Sequence, residues 1–180
     1  MTDTAVPRYT RTAIVLHWLL GLALVGAFSV GLYMADLPLS PQRIKLYNWH
    51  KWAGITILAF SFVRLAWRLT HRPPADVPMS PPQRLAAHAA HNILYVLFFA
   101  VPLVGWAYSS AAGFPIVVFG VLPLPDWVPV DKALAEAIKP WHEWLAWLMA
   151  FVVLAHVAAA LKHQFIDRDG LISRMSLRRG

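Results

Sequence analysis

The sequence predicts an all-α integral membrane protein, a single domain built as a four-helix bundle, and three observations carry that prediction. Of its 180 residues 58% are hydrophobic and only 14% charged, whereas a soluble domain averages nearer 45–50% apolar and about 25% charged. Four stretches have room for the roughly 20 residues of a helical crossing. The net charge of +7 falls wholly on one side of the topology that four crossings imply.

The first helix is expected over residues 13–34, where Ala13 to Met34 runs 22 residues without a charge. Arg8 and Arg11 precede it as in a secretory signal, but the apolar core of such a signal is only about 7–15 residues long, so a retained helix is expected. The second spans 47–69, with Arg64 and Arg68 in its last turns, where long basic side chains snorkel to the interface. The third spans 89–109 and contains Pro102, which is expected to kink it. The fourth spans 141–162. Between the second and third, residues 71–84 (HRPPADVPMSPPQR) hold five prolines and read as a non-helical surface loop. Residues 113–125 are apolar, broken by three prolines and too short to cross, so they are expected at the interface or over the bundle mouth. Residues 163–180 form a basic tail.

Four crossings put both termini on one side. That side carries Arg8, Arg11, Arg64, Arg68, Arg72, Arg84, Lys162, Arg168, Arg174, Arg178 and Arg179 against Asp3, Asp76, Asp167 and Asp169. The other side carries five basic and five acidic residues. The positive-inside rule then makes the terminal side cytoplasmic. The charge is topological and needs no nucleic acid. There is no cysteine, which excludes thiolate metal sites, iron–sulfur clusters and covalent c-type haem.

Eight histidines in such a chain point to function, because ionisable groups inside a bilayer are costly. Four lie in or at the edge of predicted helices, and the alternating helix directions sort them by depth. His17 and His156 fall on the cytoplasmic side, His50 and His142 near the outer face. Neutral imidazoles in opposed pairs are the ligands that haem iron takes in a low-dielectric site, so two non-covalent b-type haems are expected inside the bundle. His142 and His156 are fourteen residues apart, a rise of about 21 Å and within roughly 40° of whole turns. The same interval links His17 to Gly31, His91 to Gly105 and His50 to Arg64. The two glycines are expected to leave room for a flat ring, and Arg64 to meet an inner haem propionate. His88 and His91, at i and i+3, stand at the start of the third helix. His91 is read as a haem contact beyond the iron ligands or as a structural residue. His71 is read as a loop residue. His163, seven residues past His156, is either an interfacial anchor or a donor to a quinone carbonyl.

These segments resemble the bacterial cytochrome b561 family of dihaem membrane proteins. The resemblance runs through IVLHWLL at His17, NWHKWAGI at His50, RLAWRLTHRPP, LAAHAAHNILY, VPLVGW, WHEWLAW at His142, and LAHVAAALKH with the DGLISRM tail. It implies His17, His50, His142 and His156 as iron ligands and a quinone on the inner side, where His163 matches a family position. It also implies a bacterial inner membrane and a one-electron donor outside it. For the family the best-defined activity is superoxide oxidation coupled to ubiquinone reduction, in which haem supplies the redox chemistry and no catalytic acid or nucleophile is needed. Arg43, Lys45 and Lys51 beside His50 form a local positive field suited to a small anion. Two other readings stand beside this one. One is a subunit passing electrons from a periplasmic hydrogenase or soluble cytochrome to quinone, for which residues 110–140 would be the docking surface. The other is a non-redox bundle whose histidines relay protons.

Overall fold

The computed structural model describes residues 8–177; the charges counted at Asp3, Arg178 and Arg179 lie outside them. Four long helices account for most of the chain: α1 Arg11–Ala35, α2 Pro41–Thr70, α3 Pro81–Ala111 and α4 Lys132–Lys162. All four are long and apolar enough to cross a membrane. They pack α1 on α2, α2 on α3 and α3 on α4.

Each helix starts where local chemistry satisfies its free amides. Thr10, Ser40 and Asp131 accept from Ala13, Arg43 and Leu134 through their side chains, the usual role of an N-cap. α3 begins eight residues before the expected 89, inside the proline-rich segment. Pro81 and Pro82 fill its first turn, and the Gln83 side chain reaches back to the Ser80 amide at 3.1 Å. Proline is pre-organised for a first helical turn and lacks an amide that would go unpaired there, so these prolines start a helix where a loop through residue 84 is expected. α3 continues through Pro102, and α4 through Pro140.

Large aliphatic side chains line the interior: Leu16, Leu20, Ile57, Leu97, Met149 and Val152 are buried. Much of the outer surface is equally apolar. Leu22 is 72% exposed, Val96 65% and Phe151 70%, a pattern that water would penalise and hydrocarbon accepts.

At the end where the described chain starts and stops, the tail folds back over the bundle. A π-helical turn, His163–Asp167, follows α4 directly, and a 3₁₀ turn, Ile172–Met175, comes after it. Buried Arg174 donates to the Ala75 carbonyl at 2.6 Å. The Tyr9 amide donates to Arg174 O, and Trp18 Nε1 to Met175 O. At the far end, residues 113–125 form a short antiparallel hairpin, β1 Val117–Val118 with β2 Leu122–Pro123. Trp52 Nε1 donates to Val117 O at 2.6 Å, and Lys51 Nζ to the carbonyls of Phe114 and Pro115 at 3.3 Å each.

Candidate cofactor site

Two imidazole pairs meet inside the bundle. The ring centres of His50 on α2 and His142 on α4 are 6.1 Å apart, and those of His17 on α1 and His156 on α4 are also 6.1 Å apart. A metal ion bonded to both rings at about 2.0–2.1 Å sets ring centres about 6 Å apart. Both pairs match that spacing.

The far pair is fixed by matching devices on α1 and α3. His50 Nδ1 donates to the Ala27 carbonyl at 3.0 Å, and His142 Nδ1 to the Val101 carbonyl at 3.1 Å. A carbonyl only accepts, so each Nδ1 carries the proton and each Nε2 keeps its lone pair for a metal. Four residues after each accepting carbonyl stands a glycine, Gly31 or Gly105. A helical side chain covers the turn on its N-terminal side, so a residue with a Cβ there would crowd the carbonyl and the ring. A Cβ on Gly31 would lie 3.1 Å from His50 Cε1, and one on Gly105 2.8 Å from His142 Cε1. The glycines therefore seat the imidazoles themselves.

The near level is less symmetric. His91 on α3 approaches His156 with ring centres 5.3 Å apart, closer than the 6.1 Å of the two opposed pairs, so it stands beside the pair. Arg64 lies within electrostatic reach of His17, His91 and His156, and its guanidinium is 5.8 Å from the centre of the Tyr95 ring. These residues fit a b-type haem: paired bare nitrogens, and a cation beside them for a carboxylate group.

The remaining histidines go elsewhere. His88 Nε2 meets Asp76 Oδ2 at 2.9 Å in the connecting loop, and that partner holds the Asp76 carboxyl below its ordinary range. His71 stacks on Trp67, ring centres 3.8 Å apart and 6° from parallel. His163, in the π turn, meets Asp169 Oδ2 at 2.5 Å and Asp167 Oδ2 at 3.4 Å. Burial pushes the Asp169 carboxyl up, but hydrogen bonds from the Leu171 amide and His163 outweigh it and hold the group below its ordinary value. The three cations near His50 are each engaged: Arg43 with Ala35 O and Tyr47, Lys45 over the Trp49 ring, and Lys51 on the hairpin. Sequence reasoning missed the Ala27 and Val101 carbonyls, the Lys51 and Trp52 clamp, and the contact of Asp169 with His163. The carbonyls had a visible signal in glycines at one interval from His17 and His91, and Asp169 opens the DGLISRM tail, but neither pattern names the partner.

The family model for prokaryotic cytochrome b561 matches residues 8–176. The chain is 37% identical to cytochrome b561 homolog 2 of Escherichia coli (strain K12), over 97% of this chain and 95% of the relative. It is 31% identical to the probable superoxide oxidase CybB of Yersinia pestis, over 93% and 95%, and 31% identical to cytochrome b561 homolog 1 of Escherichia coli (strain K12), over 96% and 98%. With four membrane-length helices and two imidazole pairs at one spacing, the chain belongs to the prokaryotic cytochrome b561 family, the multi-pass, b-type haem electron-transfer proteins of the bacterial inner membrane.

Proposed function

We propose that this chain holds two b haems, one between His17 and His156 and one between His50 and His142, and oxidises superoxide at the outer face while reducing ubiquinone on the cytoplasmic side. The observation that carries this reading is the equal 6.1 Å spacing of two imidazole pairs separated by fourteen residues of α4, a rise of about 21 Å. When bound, the haems supply reversible one-electron chemistry at each level.

The chain's own residues do the rest. The Ala27 and Val101 carbonyls hold the outer imidazoles in one tautomer. Arg64 and His91 serve the inner haem, Arg64 as the partner of a propionate. The positive-inside distribution of charge puts both termini in the cytoplasm. Arg43 and Lys45 favour an anionic donor near the outer pair. His163 donates to a quinone carbonyl at the inner edge.

The resemblance to a probable superoxide oxidase over 93% of the chain supports the donor. Purified protein mixed with superoxide and a water-soluble ubiquinone analogue tests it. Haem reduction followed by quinol formation is the expected result; no haem reduction by superoxide would overturn the choice of donor.

One observation favours a second reading, electron transfer from a periplasmic hydrogenase or soluble cytochrome. The far end presents apolar side chains, with Phe119 64%, Val121 82% and Trp127 54% exposed, a composition suited to a docked protein. A soluble donor that reduces the haems faster than superoxide would select it.

A further inference from the structure

The reduction of a quinone consumes protons as well as electrons, and the haem-binding residues carry none to spare. His163 is the histidine best built for that task. It lies seven residues, about two turns, beyond His156, so it continues the same stripe of α4 toward the cytoplasmic edge. Its side chain is 13% exposed and the facing Asp169 17%.

The surrounding contacts separate the two carboxylates. Asp167 is taken by Lys162 at 2.5 Å and stands 3.4 Å from His163. Asp169 stands 2.5 Å from His163 Nδ1 and is held from its other oxygen by the Leu171 amide at 3.0 Å. Arg168 and Gly170 flank it with φ of 53° and 75°, so the backbone turns sharply on both sides. Asp169 therefore holds His163 from a fixed seat. A carboxylate accepting from Nδ1 keeps that proton in place and directs all exchange to Nε2, while stabilising the imidazolium.

We propose that Asp169 is a positioning residue for proton delivery to quinone, with His163 the group that gives the proton. This rests on the quinone-reducing reading above. Two superoxide ions each lose one electron and leave as dioxygen. The quinone gains those two electrons and two protons to become quinol. One proton comes from the His163 imidazolium, whose Nε2–H bond breaks as an O–H bond forms on the quinone oxygen facing it; the opposite oxygen takes the second proton from water. The ring stays neutral with Nδ1–H on Asp169 until cytoplasmic water returns a proton to Nε2.

The test uses the full-length haem-loaded protein, superoxide and a ubiquinone analogue, with Asp169→Asn, Asp169→Glu, His163→Ala and the double variant Asp169→Asn/His163→Ala. Asp169→Asn is expected to keep its haem content and its rate of haem reduction by superoxide. Its quinone turnover falls about 10- to 100-fold, the usual effect of removing a carboxylate that orients a functional histidine, with kcat affected more than KM. The alkaline limb of its rate–pH profile moves to lower pH, and Asp169→Glu restores part of the rate. The double variant is no slower than His163→Ala. A profile for Asp169→Asn that superimposes on the unaltered protein, or additive losses in the double variant, would overturn the proposal. So would a loss that tracks falling haem content, since that marks a merely structural contact. If the unaltered protein reduces its haem but never the quinone, the quinone reading itself fails and takes this role of Asp169 with it.

Discussion

At Gly105 one added methyl group has nowhere to go: its carbon would stand 2.8 Å from Cε1 and 3.0 Å from Nδ1 of His142, closer than real side-chain carbons approach. The imidazole, pinned to the Val101 carbonyl, must leave either its hydrogen bond or its partner His50. Gly31 is the milder case, with 3.1 Å to His50 Cε1, and Gly21 faces nothing within 4 Å. Gly105→Ala is thus expected to lose the outer haem, Gly31→Ala to retain part of it, and Gly21→Ala to match the unaltered protein. Haem-to-protein ratio and the redox titration of each variant read this directly; equal haem content in all three would refute the seating role. The pairing makes its own prediction. His50→Ala and His142→Ala share one spectral loss, while His17→Ala and His156→Ala share the other. At this scale the sequence is legible where chemistry is rare. Four histidines sorted by depth are conspicuous in an apolar chain, and the glycines at one interval could be seen. Their purpose could not, because a glycine shows only that a side chain is missing, and what fills the space is set by the neighbouring helix.

The elements follow their caps more closely than their hydropathy. α3 starts at Pro81 and α4 at Lys132, each well before its apolar run, because Ser80 with Gln83 and Asp131 satisfy the first amides. Apolar runs mark the part of a helix that lies in hydrocarbon, and say nothing of polar turns that extend beyond it. The hairpin at the far end shows the same limit: three prolines forbid a crossing, but the clamp depends on side chains sixty residues away. Trp52→Phe removes the Nε1 donor to Val117 O and keeps the ring contact with Phe119. It should cost about 1 kcal/mol, read as faster amide exchange in residues 114–122 without loss of either haem. The tail answers to pH. Asp169 titrates below its ordinary value when folded, so its contribution is in full force above the ordinary carboxylate value of about 3.9 and is lost as pH falls through the lower folded value. Amide exchange in residues 168–176 should therefore stay slow at neutral and mildly acid pH and rise only in strong acid. A rise already near pH 6 would assign the change to a histidine instead.

For the molecule as a whole, orientation decides what the two imidazole levels do, since an outer donor needs the His50 level outward. Eleven basic residues against four acidic ones on the terminal side bias that side to the cytoplasm, and charges within about 15–20 residues of a helix end weigh most. Arg64, Arg68, Arg72 and Arg84 all meet that condition around the loop joining α2 and α3. The absence of cysteine makes the orientation easy to read, because any introduced thiol is unique. Leu39, 83% exposed between α1 and α2, and Arg72, exposed at the opposite end, are suitable positions. In spheroplasts of the producing bacterium, Leu39→Cys should react with a membrane-impermeant maleimide and Arg72→Cys only after lysis. The reverse pattern would place the Arg64, His91 and His163 level outside and the neutral hairpin end within. Superoxide would then meet the level furnished for proton delivery, and the proposed direction of electron flow would have to be abandoned even with both haems in place.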